Sequence, residues 1–252
     1  MKFLLWGILP YVAFLTLNAG LIWRYRYDQF GWTTRSSQLY ESRLLKIGSP
    51  LFHYALLAVF IGHVVGLFIP KAFTDWIGLS QDMYHFGAFY GGGLAGIGLV
   101  VGTALLIWRR RTITQVFKAT TANDKAMYLV LAIVIGLGMA ATIIGDTTPA
   151  GEPHNYRETV SVWFRSLFTL RPNVDAMASA TLPFQLHVFV AGVLFAMTPF
   201  TRLVHAFTAP FHYLFRPYVV YRSRDAASNP VKGTRRGWDP VGSEYGDGKG
   251  RR

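Results

Sequence analysis

The chain has no cysteine among its 252 residues. Disulfides, thiolate-held iron–sulfur clusters, thiol catalysis and covalent haem attachment through C-x-x-C-H are therefore excluded. The redox compartment is left open. Charge is scarce as well: Asp, Glu, Lys and Arg make up 15% of the sequence, against about 25% in an average soluble domain. Acidic residues are the scarcer sign, 13 against 25 Lys and Arg, for a formal net charge of +12.

Hydrophobic residues make up 52% of the chain, and they come in blocks. The blocks run over about 3–23, 51–69, 87–108, 126–145 and 182–207. None contains Asp, Glu or Lys, and only Arg202 near the end of the fifth carries a fixed charge. Runs of about 20 apolar residues match the thickness of a bilayer. Helices alone satisfy their own backbone hydrogen bonds within one segment in lipid. The expected fold is therefore an all-α membrane protein of five transmembrane helices. The first block is longer than the apolar core of a signal peptide and ends at Trp23-Arg24-Tyr25-Arg26-Tyr27. That is an aromatic and basic anchor, so the segment reads as retained.

The positive charge is explained by topology. Residues 24–50, 109–125 and 202 onward hold 20 of the 25 Lys and Arg. These stretches fall on one side of a five-span chain, which the positive-inside rule makes cytoplasmic. The N-terminus is expected outside and the C-terminus inside. Residues 1–221 form one transmembrane domain, and 222–252 read as a disordered, basic cytoplasmic tail, solvated or docked on a partner rather than bound to nucleic acid. In the outer loop, Val160, Trp163, Phe164, Leu167 and Phe168 follow helical spacing. They predict an amphipathic helix lying at the interface as an anchor.

Four of the seven histidines fall inside spans: His53 and His63 in the second, His187 and His205 in the fifth. Ionisable side chains within a span are costly and mark function by default. At 1.5 Å per residue, His53 and His205 each lie roughly 3 Å from the inner ends of their helices. His63 and His187 lie roughly 9 and 7 Å from the outer ends. The depths pair His53 with His205 and His63 with His187. A continuous fifth helix puts His187 and His205 on one face, five turns apart, whereas His53 and His63 differ by roughly 80°. The separations along the two helices are then roughly 27 and 15 Å, so the two ligand planes must tilt.

Zinc and copper sites gather three or four protein ligands, and each depth here offers two. Haem brings four nitrogens of its own and needs one axial ligand per side. The pattern reads as two stacked b-type haems between the second and fifth helices, each bis-histidine, with no open iron position. That suits electron transfer. Gly91, Gly92, Gly93, Gly96, Gly98 and Gly102 of the third block, with Gly62 and Gly66, serve either of two ends: close approach of a macrocycle, or close helix packing.

The stretches Leu51-Phe52-His53, Gly62-His63, Phe184-Gln185-Leu186-His187 and Pro199-Phe200-Thr201-Arg202-Leu203-Val204-His205 resemble the gamma subunit of respiratory nitrate reductase, the di-haem cytochrome b subunit. Trp23-Arg24-Tyr25 and Ser36-Ser37-Gln38 add to the likeness, which covers about residues 3–221. The resemblance implies a chain that oxidises quinol near the outer haem. Electrons would pass inward to a cytoplasmic iron–sulfur beta subunit and a molybdenum-containing alpha subunit that reduces nitrate. It implies His63 and His187 as ligands of the outer haem iron, His53 and His205 of the inner, with Tyr27 and Arg110 as propionate partners. One departure stands out. The family's quinol pocket uses a basic residue, often Lys, before the third helix, and Ser80-Gln81-Asp82-Met83-Tyr84-His85 has none. His85 is the nearest substitute and, with Gly62, the candidate for that pocket; it reads equally as an interfacial histidine. His154 and His212 read as surface residues. Two other readings share parts of this pattern: a cytochrome b subunit of another quinone-linked complex, such as one tied to sulfite reduction, and a haem-free anchor or transporter.

Overall fold

The computed structural model describes residues 1–145 and 154–208. His212 and the tail read at 222–252 lie outside the described residues. Among them, five helices are long and apolar enough to cross a membrane: Leu4–Tyr27, Arg43–Phe68, Gln81–Thr112, Ala122–Ile144 and Leu182–Phe200. In chain order the α-helices are α1 (Leu9–Tyr27), α2 (Arg43–Phe68), α3 (Lys71–Trp76), α4 (Gln81–Thr112), α5 (Thr114–Lys118), α6 (Ala122–Ile144), α7 (Val160–Leu167), α8 (Val174–Ala178) and α9 (Leu182–Met197). A π-helical stretch, Leu4–Ile8, precedes α1.

The long helices form an arc. α2 packs along α4, α4 on α6, α6 on α9 and α9 on α1. Glycines set the closest approach within it. A Cβ at Gly102 would lie 2.8 Å from the Phe52 backbone, and one at Gly98 would lie 3.2 Å from Ala55. These two small residues one turn apart let α4 seat directly on α2, as in membrane helix pairs generally. Phe52, Ala55, Leu99, Met127, Leu131 and Ile135 form the buried core between α2, α4 and α6.

The third span runs further than its apolar block, from the Ser80 cap, whose hydroxyl accepts the Met83 amide at 3.2 Å, to Thr112. His85 is consequently inside α4. Charge is admitted at the other end because it is paired. Arg109, 1% exposed, donates to Glu41 Oε2 at 2.5 Å, Ser37 Oγ at 2.8 Å and the Ser37 carbonyl at 2.9 Å. Glu41 Oε1 in turn accepts the Leu44 amide at 2.6 Å, capping the start of α2. Burial pushes the Glu41 carboxyl up, but Arg109 and the Leu44 and Leu45 amides outweigh it and hold it below the usual carboxylate range. The second span likewise begins before its apolar block and passes through Pro50.

The fifth span departs most from expectation. It is not one helix to Phe207. α9 stops at Met197, a 3-10 turn covers Thr198–Phe200, Thr201 is extended (φ −120°, ψ 179°), and a second 3-10 segment covers Arg202–Thr208. Pro199 has no amide for the helical ladder, and the α-helix stops two residues before it. The carbonyls exposed by the break are captured by side chains from elsewhere: Arg24 Nε donates to Pro199 at 2.8 Å, and Asn123 Nδ2 donates to Phe200 at 2.7 Å. Gly20 makes room, since a Cβ there would lie 2.7 Å from Pro199. Beyond the break, Arg202 grips Asp124 in a two-point contact, Nε to Oδ1 at 2.9 Å and Nη2 to Oδ2 at 2.8 Å. Asp124 also closes a capping box with Thr121 at the start of α6.

The amphipathic helix appears as α7, packed onto the bundle rather than lying free at an interface. Pro10 and Pro70 have no N–H, so the Trp6 and Gly66 carbonyls four residues earlier lack their helical donors. Trp163 Nε1 donates to Trp6 at 2.7 Å, and Ser161 Oγ donates to Gly66 at 2.8 Å. Arg165 Nη1 takes the neighbouring Leu67 carbonyl at 3.0 Å. Around these bonds Trp6, Val160, Trp163, Met177 and Ala180 form a second buried core.

Two outcomes are expected. Asp124→Ala strands the Arg202 guanidinium in a buried site, a loss on the order of 3–5 kcal/mol; thermal unfolding in detergent should show a clearly lowered midpoint. For Glu41, the depressed carboxyl contributes stability that is complete above the unfolded value of about pH 4.3 and is lost as pH falls through the folded value. Unfolding measured from pH 7 to pH 3 should therefore steepen in loss below about pH 4.3, and Glu41→Gln should flatten part of that fall.

Candidate functional site

His53 and His63 stand on α2, and His187 stands on α9. His205 sits on the 3-10 segment past the break, so it does not share a helix with His187. The five-turn alignment expected from a continuous fifth helix, and the 27 Å spacing that went with it, are withdrawn for that reason. What places His205 is the tether of Arg202 to Asp124 three residues before it.

The structure nevertheless brings the four rings together in two pairs. His53 and His205 have ring centroids 6.2 Å apart with an interplanar angle of 62°, and His63 and His187 have centroids 6.0 Å apart at 35°. An imidazole nitrogen bonds a transition metal at about 2 Å and lies about 1 Å from its ring centre, so two imidazoles across one ion have centroids about 6 Å apart. Both pairs have that separation.

The ring nitrogens are sorted as well. His53 Nδ1–H donates to the Ser49 carbonyl at 2.7 Å and His63 Nδ1–H to Val59 at 2.8 Å, both on the preceding helical turn. His187 Nδ1–H donates across to Val134 on α6 at 3.0 Å, and His205 Nδ1–H donates to Arg202. A carbonyl on Nδ1 places the proton there and leaves the Nε2 lone pair outward, the arrangement common to metal-binding histidines. Gly138 explains how His187 reaches α6. Val134 bonds the Gly138 amide within the helix, and a Cβ at Gly138 would sit 3.0 Å from His187 Cε1.

α2 and α9 are not among the extensively packed helix pairs; the imidazoles meet across the open side of the arc. A Cβ at Gly62, Gly87, Gly91, Gly92, Gly93 or Gly136 would meet nothing within 4 Å. The glycines thus divide: Gly96, Gly98 and Gly102 serve contact, while Gly62 and the Gly91–Gly93 run border open volume. Among the described residues no group of three or more His, Asp or Glu could hold a metal ion. Each pair can give a metal two ligands, and the others would have to arrive with the bound group.

The remaining candidates lie as follows. Tyr27 ends α1 and is exposed. Arg110 is buried at the end of α4, with Nε on Tyr128 Oη at 3.0 Å, Nη1 on Thr120 Oγ1 at 3.1 Å and its guanidinium over the Tyr128 ring. His85 is exposed on α4, its ring stacked at 6.1 Å on Phe89. His154 is not a plain surface residue: it is half-buried, shares a hydrogen bond of 3.1 Å with the Thr159 hydroxyl through Nε2 and lies 5.5 Å from the Phe184 ring. Reading the sequence missed the Glu41–Ser37–Arg109 cluster and the Asp124 partner of Arg202. The signals were there: Arg202 was the one fixed charge in an apolar block, and Thr121-Ala122-Asn123-Asp124 spells a capping box.

Fold and site define a five-helix integral membrane protein that presents two opposed histidine pairs, one above the other, across a gap between helices. A family model described as nitrate reductase gamma subunit matches residues 2–224. The chain is 41% identical over 221 residues to the nitrate reductase gamma chain of Bacillus subtilis, covering 88% of this chain and 98% of that one. It is 33% identical over 220 residues to the respiratory nitrate reductase 2 gamma chain of Escherichia coli, covering 87% and 96%. It is also 55% identical over 235 residues to the nitrate reductase-like protein NarX of Mycobacterium tuberculosis, where it covers 93% of this chain but spans only 36% of that protein. The chain belongs to the nitrate reductase gamma subunit family.

Gly138→Val should push the His187 ring away from Val134. A structure of the variant is expected to show the His63–His187 separation widened from 6.0 Å and the His53–His205 pair still at 6.2 Å.

Proposed function

We propose that this chain is the quinol-oxidising membrane subunit of a respiratory nitrate reductase. It would hold two b-type haems, one between His53 and His205 and one between His63 and His187. Electrons from quinol oxidised near the outer face would leave toward cytoplasmic iron–sulfur and molybdenum subunits. The observation that carries this reading is the pair of imidazole couples, each about one metal ion apart, with all four Nδ1 atoms committed to carbonyls. When bound, haem would supply one-electron iron chemistry together with nitrogen ligands of its own.

The chain's own residues do the rest. The carbonyl bonds orient each imidazole and raise its basicity as a ligand. The open glycines would leave room for a flat ring. In a bilayer, lipid around the apolar helices would keep water from both sites. On the N-terminal face, Gly62 lies beside His63 with open space before it, and with His85 on α4 it is the proposed quinol contact. On the opposite face Tyr27 and Arg110 are the proposed propionate partners of the inner haem. Its excess of Lys and Arg makes this the cytoplasmic face, where the basic tail is the proposed docking surface for the soluble subunits.

Absorption spectra of the purified complex test the assignment. The wild type should show two b-type haems per chain. His205→Ala should lose the inner haem or turn it high-spin, while quinol still reduces the outer one and nitrate turnover with quinol collapses. His187→Ala should remove the outer haem and block quinol entry. An absence of pigment in the wild type, or loss of the outer haem in His205→Ala with the inner one spared, would overturn it.

A further inference from the structure

Arg157 is 2% exposed and has no carboxylate partner among the described residues. Its contacts are neutral. Nη2 donates to Thr74 Oγ1 at 2.9 Å, Nη1 to Gln81 Oε1 at 3.4 Å, the guanidinium carbon lies 3.9 Å from the centre of the Tyr84 ring, and Nε has no acceptor. A buried cation without a counter-charge is expensive. The face of a phenol ring offsets part of that cost.

Its position links it to the outer histidine pair. The Tyr84 and Tyr156 hydroxyls are hydrogen-bonded at 2.9 Å. Both press on α2 at Gly66, where a Cβ would meet Tyr156 Oη at 3.0 Å and Tyr84 Oη at 3.4 Å. The Tyr156 ring stacks on Phe184 at 5.7 Å and 26°. Gly66 lies three residues after His63, and Phe184 three residues before His187, about 4.5 Å along each helix. Tyr156 therefore bridges α2 and α9 one turn outside the pair, and Arg157 sits on the tyrosine bonded to it. Arg165 adds to the field: burial and the nearby Arg157 both push its pKa down.

We propose that Arg157 is an electrostatic tuning residue for the outer site. Its buried positive charge raises the reduction potential of the redox group held by His63 and His187, so that an electron enters there more readily. Tyr84, Thr74 and Gln81 hold the charge in place. Charges removed from solvent are screened far less than surface charges, which is why a buried arginine one layer away carries weight. The inference rests on the haem reading above.

Redox titration of haem absorbance in the assembled complex tests it, with the outer couple identified as the one missing from His187→Ala. Arg157→Gln should shift the outer couple to lower potential and leave the inner couple in place. Arg157→Lys should keep most of the wild-type value. Thr74→Asp sets a carboxylate against the guanidinium and should lower the outer couple with the arginine still present. An unchanged outer couple in Arg157→Gln and Thr74→Asp, or equal shifts of both couples, overturns the proposal. Loss of the outer haem in both variants assigns Arg157 a folding role and overturns it too. A wild type without two haem couples is instead the failure of the haem reading.

Discussion

A carbonyl without a donor has no cheap resting place in a membrane protein, because lipid offers it no hydrogen bond. Much of this structure follows from where prolines and helix ends leave such carbonyls. Pro10 deprives Trp6, Pro70 deprives Gly66, and the break at Pro199 exposes its own carbonyl and that of Phe200. Each is met by a side chain far away in sequence: Trp163, Ser161, Arg24 and Asn123. These bonds fasten α7 over the ends of the first two spans and fasten the end of the fifth span to the first and fourth. The same economy orients the four histidines, whose Nδ1 protons all go to carbonyls.

The break in the fifth span has a direct bearing on the site. A straight helix would carry His187 and His205 about 27 Å apart, too far to match two histidines ten residues apart on α2. Ending the helix at Met197 and turning the chain at Thr201 frees His205 from that spacing. The Arg202–Asp124 contact then sets where the segment lies. A buried ion pair is weak evidence for stability but a good device for fixing one arrangement. Here the arrangement it fixes is the approach of His205 to His53.

Buried charge is held in two ways. On the basic face Arg109 and Arg202 are buried with Glu41 and Asp124, so most of their cost is offset locally. Arg110, on the same face, is buried against Tyr128 and Thr120 with no carboxylate among the described residues. On the N-terminal face Arg157 is buried among Thr74, Gln81 and an aromatic ring, with Arg165 close enough to disfavour its own charge. The Arg157 arrangement is the one on which the proposed tuning of the His63–His187 site rests.

The number of spans, the charge asymmetry of the two faces and the pairing of histidines by depth were all legible in the sequence, because hydropathy, charge counts and rise per residue are local or additive quantities. The unbroken run of α2 through Pro50 and the early stop of α9 were not, since a proline is tolerated in one helix and ends another according to the packing around it. The glycines show the same divide. Gly98 and Gly102 resemble Gly91 and Gly92 in sequence, and only the approach of Phe52 and Ala55 marks the former as contact points. Arg157 becomes a buried cation only when Thr74, Gln81 and Tyr84, 73–83 positions earlier in the chain, fold around it. Composition determined that this chain lives in a membrane with four histidines at two depths. Tertiary contacts decided which way those rings face and what charge surrounds them, because orientation and burial are properties of the neighbours and not of the residue.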